Sequence, residues 1–218
     1  MHQWDSPEYV DEWVRRDNQT DLLRLPMEIA AALVSEDGLA VGRVIDLGSG
    51  PGTFLQRLLD EFPEAEGVWV DSSDPMAEIA RERLGHDAHR VSFHIADAGV
   101  VDDLQLGPAD VVVTARMVHH LSEETTRELY AWASATLGDH GYFFNLDHYG
   151  SPPGWESRYR SIRRRILGGR RRTESHGHER PFAPLDRHLE WLSAAGFGNR
   201  DVAWKAFHTA LLVGRIDV

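Results

Sequence analysis

The chain contains no cysteine, which excludes disulfides, thiolate zinc centres and cysteine nucleophiles together. Any catalysis must run on oxygen and nitrogen groups or on a bound cofactor. It also lacks an apolar run long enough to cross a bilayer, and its first residues, MHQWDSPEYVDEW, are acidic and aromatic where a secretory leader is basic and then apolar. The expected address is therefore the cytoplasm, with no membrane partner. Basic charge is scarce as well: 23 Lys and Arg stand against 35 Asp and Glu, a formal net charge of -12. That balance argues against nucleic acid as a general partner, because phosphates need a basic face. The basic residues are unevenly placed, with Arg158, Arg160, Arg163, Arg164, Arg165, Arg170, Arg171 and Arg172 crowded into RYRSIRRRILGGRRR.

What is present points to one domain, 1–218, since 218 residues at 42% hydrophobic suffice for one sizeable core. Helical spacing dominates residues 1–38: Val10, Trp13 and Val14 form one apolar stripe, and Leu22, Leu23, Leu25, Ile29 and Leu33 another, with Pro26 at a break or a first turn. Apolar strands are predicted at Arg43–Leu47, Gly67–Val70, Val91–Ile95, Asp110–Thr114 and Gly141–Leu146. Between them, helices are predicted at Thr53–Phe62, Pro75–Leu84 and Glu123–Leu137. Strands of almost continuous apolar residues alternating with helices indicate an α/β fold, a parallel sheet covered on both faces. Residues 150–184, rich in Gly, Pro and Arg, read as a basic insert with a helix over Trp155–Leu167 and a loose loop behind it. A helix over Leu185–Ala195 follows, and then Val202–Phe207 and Thr209–Val213, which lie too close in the chain to be anything but an antiparallel pair.

The most informative stretch is VIDLGSGPGTF, Val44 to Phe54: an apolar strand that ends in an acid and runs into three glycines. In an open parallel sheet, ligands bind beyond the carboxyl ends of the strands, where strand order reverses. Gly48, Ser49, Gly50 and Gly52 stand there, ahead of a helix N-terminus, so their amides are expected to face a ligand. Asp71 closes the second strand 25 positions after Asp46, where a carboxylate can accept from both ribose hydroxyls, and Asp97 follows the third strand, where it can accept from an adenine amino group. Each acid alone is equally a turn or cap residue. A dinucleotide loop wants glycine at the place that Thr53 occupies. Asp46 would repel a pyrophosphate but suits a ligand with an ammonium end, either directly or by ordering the loop.

DLGSGPG, Asp46 to Gly52, resembles the first motif of the class I S-adenosylmethionine-dependent methyltransferases. VDSSDPMAEIAR resembles the ribose-binding second motif, IADAG the adenine-binding third, and ADVVVTARMVHHL the fourth strand with its following turn. The resemblance implies a Rossmann-like seven-stranded sheet of order 3-2-1-4-5-7-6 with one antiparallel strand and helices on both faces. It implies S-adenosyl-L-methionine as cofactor, leaving as S-adenosyl-L-homocysteine. Gly48, Ser49 and Gly50 would hold the methionine moiety, Asp71 the ribose, Ser72 and Met76 the edge and face of the adenosine, Asp97 and Ala98 the adenine, and Thr114 the sulfonium neighbourhood. Residues 1–38 would cover the cofactor, with Arg16 meeting its carboxylate.

Methyl transfer needs an aligned nucleophile and, for some acceptors, a base. His119, His148 and His120 are the candidates, in that order, with a backbone-bonded structural histidine as the alternative for the VHHL pair. The arginine run fits a solvated helix face, a lid gripping a carboxylate or phosphate, or a nucleic-acid contact. On the lid reading Arg163, Arg164 and Tyr149 bind substrate. His176, His178 and His188 have no acid at a persuasive spacing, so no metal is expected. The expected function is methylation of oxygen or nitrogen on a small metabolite that can carry a negative group. The rivals are a cofactor-binding enzyme with a non-methylating step, such as cyclisation or decarboxylation, a non-catalytic cofactor-binding partner subunit, and a nucleotide-dependent oxidoreductase.

Overall fold

A computed structural model describes residues 3–17, 23–100, 105–166 and 181–217. A 3-10 turn at Gln3–Asp5 leads into α1 (Pro7–Asp17) and α2 (Arg24–Glu36), and then β1 (Arg43–Leu47), α3 (Thr53–Glu61), β2 (Glu66–Asp71), α4 (Asp74–Arg83), β3 (Val91–Ile95) and β4 (Ala109–Ala115). After these come α5 (Glu123–Thr136), β5 (Leu137–His148), α6 (Glu156–Ile166), α7 (Leu185–Ala194), β6 (Asn199–Ala206) and β7 (Thr209–Arg215). The seven strands form one sheet of order β3-β2-β1-β4-β5-β7-β6. The pairs from β3 to β5 are parallel, and β7 runs antiparallel to both β5 and β6. This is the sheet that the motif resemblance implies.

The period of two along each strand divides the core between the two faces. Val44, Trp69, Val111, Val113 and Phe144 face α1 to α4, where Ala30, Val34, Leu55, Leu58 and Leu59 are buried against them. Ile45, Leu47, Val68, Val70, Val112 and Phe143 face α5 and α7, against Leu129, Tyr130, Trp191 and Leu192. Serine hydroxyls cap the starts of α4 and α5. Ser73 Oγ accepts from Met76 N (3.3 Å) at α4, with Pro75 in the first turn, and Ser122 Oγ accepts from Thr125 N (3.1 Å) at α5. Ser73 Oγ also donates to Trp4 O (2.6 Å), which ties the N-terminal segment down onto α4.

Two strands begin three or more residues before their predicted spans: β6 begins at Asn199 where Val202 was expected, and β5 differs further. β5 begins at Leu137, directly after α5, where Gly141 was expected to open it. Leu137 pairs with Ala109, and the register shifts before Val111 meets Tyr142. The added residues Gly138, Asp139 and His140 are exposed, and His140 has φ +65°, so they carry no apolar alternation to read. Beyond β5, Gly150 and Pro184 form a parallel bridge, so that the intervening chain leaves and returns at one point. Arg170, Arg171, Arg172, His176 and His178 lie outside the described residues.

Under the α5–α7 face runs a buried polar chain. Tyr149 Oη donates to Asn145 O (3.1 Å), Asn145 Nδ2 donates to Tyr130 Oη (2.9 Å), and Tyr130 Oη lies 2.7 Å from His188 Nδ1. The phenol oxygen accepts from Asn145 and shares a second hydrogen bond with His188 Nδ1. Burial pushes His188 down to about 4. A histidine held below its unfolded value stabilises the fold fully above about pH 6.5 and loses that contribution as pH falls towards 4. Urea unfolding at pH 7 and pH 4.5 is expected to show the wild type losing up to about 3 kcal/mol more over this interval than a His188→Gln variant. Parallel losses in the two proteins would refute the assignment.

Candidate active site

The glycines after β1 each meet a separate demand. Gly48, Gly50 and Gly52 have φ of 64°, 53° and 77°, the left-handed region that costs other residues strain. A Cβ on Gly48 would stand 2.5 Å from Met117 Cγ, and one on Gly52 would stand 3.0 Å from Leu84 Cδ1, so the loop closes onto the turn after β4 and onto α4. The close helix packing that a dinucleotide loop assigns to its last glycine is thus met by Gly52, leaving Thr53 as an ordinary first helical residue.

Two strand-end acids hold this loop. Asp46, 1% exposed, accepts at Oδ2 from Ser49 Oγ (2.6 Å) and Leu55 N (3.2 Å). Its Oδ1 is buried with no hydrogen-bond partner among the described residues. Burial pushes this carboxyl up to about 7. Asp71 accepts at Oδ2 from Gly50 N (2.8 Å) and at Oδ1 from Ser73 N (2.9 Å), and Gly50 O accepts from the buried indole of Trp69 (2.9 Å). These bonds correct one expectation. The amides of Ser49, Gly50 and Gly52 do not face outward, because they are taken by Val70 O, Asp71 and Ser49 O.

The other residues assigned to the cofactor gather around the same strand ends. Ser72 is exposed beside Asp71, and Met76 is buried behind the loop, its Sδ 3.9 Å from a Cβ built on Gly50. Asp97 is exposed and accepts from Gly99 N (2.8 Å), while Ala98 is buried. Thr114, beside Leu47 and Asn145 in the sheet, is fully buried, and its Oγ1 has no hydrogen-bond partner among the described residues. The side chain of Arg16 lies outside the described residues.

Two of the three histidines bond to a residue that sequence reasoning passed over. Asp147, 1% exposed at the end of β5, accepts at Oδ1 from the His119 ring (Nδ1, 2.5 Å) and His148 N (2.7 Å), and at Oδ2 from His119 N (2.9 Å). Burial alone would raise its pKa, but the charge and hydrogen bond of His119 hold it at about 2. With Asp147 ionised, His119 Nδ1 carries the proton and Nε2 is the basic nitrogen. The His120 ring lies 4.0 Å from His119 and 6.5 Å from Trp4, and the His148 ring lies 5.2 Å from His119. Burial keeps His148 neutral by driving its pKa well below the usual value, and its Nδ1 is 3.1 Å from Thr209 Oγ1. Phe182 closes on His119 at 5.5 Å. Asp147 had the same signal as Asp46 and Asp71, an acid ending an apolar strand.

The substrate residues fare differently. Tyr149 is corrected to a core residue: it is 1% exposed, with its hydroxyl committed to Asn145 O. Arg163 is half-buried and Arg164 is exposed on α6, where Arg164 Nε donates to Arg160 O (3.3 Å) on the same helix. That helix leans on the β6–β7 turn, Tyr159 against Phe207 at 6.0 Å. Arg116, which follows β4 and was not singled out, places its guanidinium 4.2 Å over the ring of Trp13.

Residues 44–141 match the family described as methyltransferase domain. Over 81% of this chain, the sequence is 32% identical to a malonyl-[acyl-carrier protein] O-methyltransferase of Geobacter sulfurreducens. It is 40% identical over 35% of the chain to a trans-aconitate 2-methyltransferase of Variovorax paradoxus. The aligned parts span 63% and 25% of those two proteins. The fold is similar to that of human N-acetylserotonin methyltransferase, solved in complex with S-adenosylmethionine, with a TM-score of 0.68 and 15% identity over 99% of this chain and 58% of that one.

Because Gly48 combines a left-handed backbone with the contact to Met117, Gly48→Ala is expected to cost about 1–3 kcal/mol in chemical denaturation. Adding Met117→Ala should return the part due to collision and leave the backbone strain. A single variant as stable as wild type would show that the loop is looser than described.

Proposed function

We propose that the chain is a class I S-adenosylmethionine-dependent methyltransferase, as its similarity to the methyltransferase domain family and to a malonyl-[acyl-carrier protein] O-methyltransferase supports, and that it methylates an oxygen of a small acid, with His119 as the base. The observation that carries this reading is the buried His119–Asp147 pair at the ends of β4 and β5, two strands from the glycine loop. The residues of the loop suit the cofactor. Asp46 Oδ1, unpartnered among the described residues, can accept from its ammonium, Asp71 and Asp97 can take the ribose and adenine, and the bare Cα of Gly50 lets the methionine end approach. When bound, the cofactor supplies an electrophilic methyl carbon on a sulfonium.

The chain itself has to orient the acceptor and move a proton. His119 Nε2 can take the proton of an acceptor hydroxyl as its oxygen attacks, and ionised Asp147 both holds the Nδ1–H tautomer and stabilises the imidazolium that results. A second reading is favoured by the relatives, whose names specify malonyl-[acyl-carrier protein] and trans-aconitate. If the acceptor oxygen belongs to a carboxylate, it is already ionised at neutral pH, and His119 then orients it without acting as a base.

Formation of S-adenosylhomocysteine, followed against pH, separates the two. A hydroxyl acceptor predicts an acid limb in kcat/KM, since a general base acts only when unprotonated, and that His119→Gln lowers kcat by roughly 10²- to 10⁴-fold. A carboxylate acceptor predicts a flat acid limb and a loss of less than about 10-fold. No turnover with any acid would sink both. Cofactor binding offers an independent check through Asp46. An ammonium beside a carboxyl held near 7 favours the ionised form, so binding of S-adenosylmethionine at pH 6 should release protons and weaken as pH falls below about 7. Calorimetry in buffers of different ionisation enthalpy should detect the release in wild type and not in Asp46→Asn.

A further inference from the structure

We propose that Phe182 is a positioning residue for His119: its ring holds the imidazole on Asp147 and so fixes the direction of Nε2. The proposal rests on the role of His119 given above, and it serves a base and an orienting group alike. A close crossing of the chain places the backbone of Phe182. Gly150, two residues beyond His148, donates its N–H to Ala183 O (2.9 Å) and forms the bridge to Pro184. A Cβ on Gly150 would stand 2.5 Å from Phe182 O and 3.3 Å from Pro184 N, so glycine is what lets the two segments approach this closely. The same limb runs straight into α7, where Pro184 O accepts from Arg187 N (3.1 Å) and His188 N (3.3 Å), and Ala183 and Leu185 pack on the core under α5 and α7. Phe182 therefore sits on a segment pinned both to the end of β5 and to the start of α7.

From there its ring meets two imidazoles at once. Phe182 lies 5.5 Å from His119, edge-on at 80°, and 5.9 Å from His148 at 34°, while His119 and His148 are 5.2 Å apart. The three rings close a triangle, and contacts of this kind favour particular orientations over free rotation. Asp147 at Nδ1 (2.5 Å) and the His120 ring at 4.0 Å also touch His119. A ring hydrogen bond fixes one atom of the imidazole and leaves the ring able to rock about it; packing against a second ring removes that freedom. The His119 side chain is only 6% exposed, so its surroundings are packed and not solvated. Asp147 and His148 belong to β5 and His120 to the same turn as His119, whereas Phe182 is supplied by the chain returning from the basic insert. The orientation of His119 is thereby tied to the seating of a segment remote in sequence.

Proton NMR of the whole chain tests this without substrate. The Nδ1 proton of His119 exchanges with water when the imidazole leaves Asp147, so its exchange rate reports how firmly the ring is held. Wild type is expected to show a slowly exchanging downfield imidazole signal that His119→Gln abolishes. Phe182→Ala should speed its exchange by about 10-fold or more, while amides inside β4, such as that of Val112, exchange as in wild type. Phe182→Leu, which refills most of the space, should recover most of the protection and guards against a misfolded alanine variant. Gly150→Ala keeps the phenyl ring but collides with its backbone, and should speed exchange as well. In the S-adenosylhomocysteine assay, Phe182→Ala should lower kcat about 10- to 100-fold with KM little changed, as misplacement of a reacting group does. The proposal is overturned by a fast-exchanging or missing His119 signal in wild type, by unchanged exchange in Phe182→Ala, or by a loss confined to KM. It also falls if the β4 amides loosen in step with the imidazole proton, since Phe182 would then act on the fold at large. Absence of turnover in wild type counts against the methyltransferase reading, and the exchange rates judge Phe182 independently of it.

Discussion

A buried carboxylate at the end of β1 is the constraint on which the site is built. Asp46 is almost wholly removed from water and accepts from both Ser49 Oγ and the first turn of α3, so it cannot shift without releasing the loop and the helix together. The three left-handed glycines between those contacts let the chain turn tightly enough to make them. The cost of keeping a carboxyl there shows in its raised pKa, and its Oδ1 has no hydrogen-bond partner among the described residues.

The same device recurs along the sheet. Asp71 at the end of β2 accepts from the amides of Gly50 and Ser73, and Asp147 at the end of β5 accepts from those of His119 and His148. Each acid organises the backbone that follows a strand, its own or a neighbour's, and each leaves a functional group in a defined place. The outcomes differ because the partners differ. Asp46 and Asp71 meet neutral donors and have raised pKa values, whereas Asp147 meets an imidazole and is held at about 2. Three similar carboxylates thereby serve two purposes, loop architecture in one half of the site and control of a histidine in the other.

The N-terminal segment joins the two halves. Trp4 reaches α4 through Ser73, its ring approaches Trp13 and His120, and Trp13 carries the Arg116 guanidinium. The glycine-loop side and the histidine side of the strand ends therefore share one aromatic cover.

Much of this was legible in the chain. Strand and helix order, the paired strands at the end, and the group Asp46, Gly48, Gly50, Gly52 and Asp71 follow from local patterns: period-two and 3.6-residue apolar spacing, and glycine where the backbone must turn left-handed. Asp147 and Arg116 were not legible in that way. Asp147 becomes more than a strand-end acid only when the turn after β4 brings His119 to it from 28 positions away, and Arg116 becomes a braced cation only when α1 lays Trp13 across it. Tyr149 reversed in the other direction, since a residue after a strand end reads as a site residue until packing turns its ring into the core. The sequence by itself determined the elements, their order and the loop, because those depend on neighbours along the chain. Which imidazole is paired, which arginine stacks on Trp13 and which tyrosine is core were decided by the tertiary structure, because each depends on contacts between segments remote in sequence.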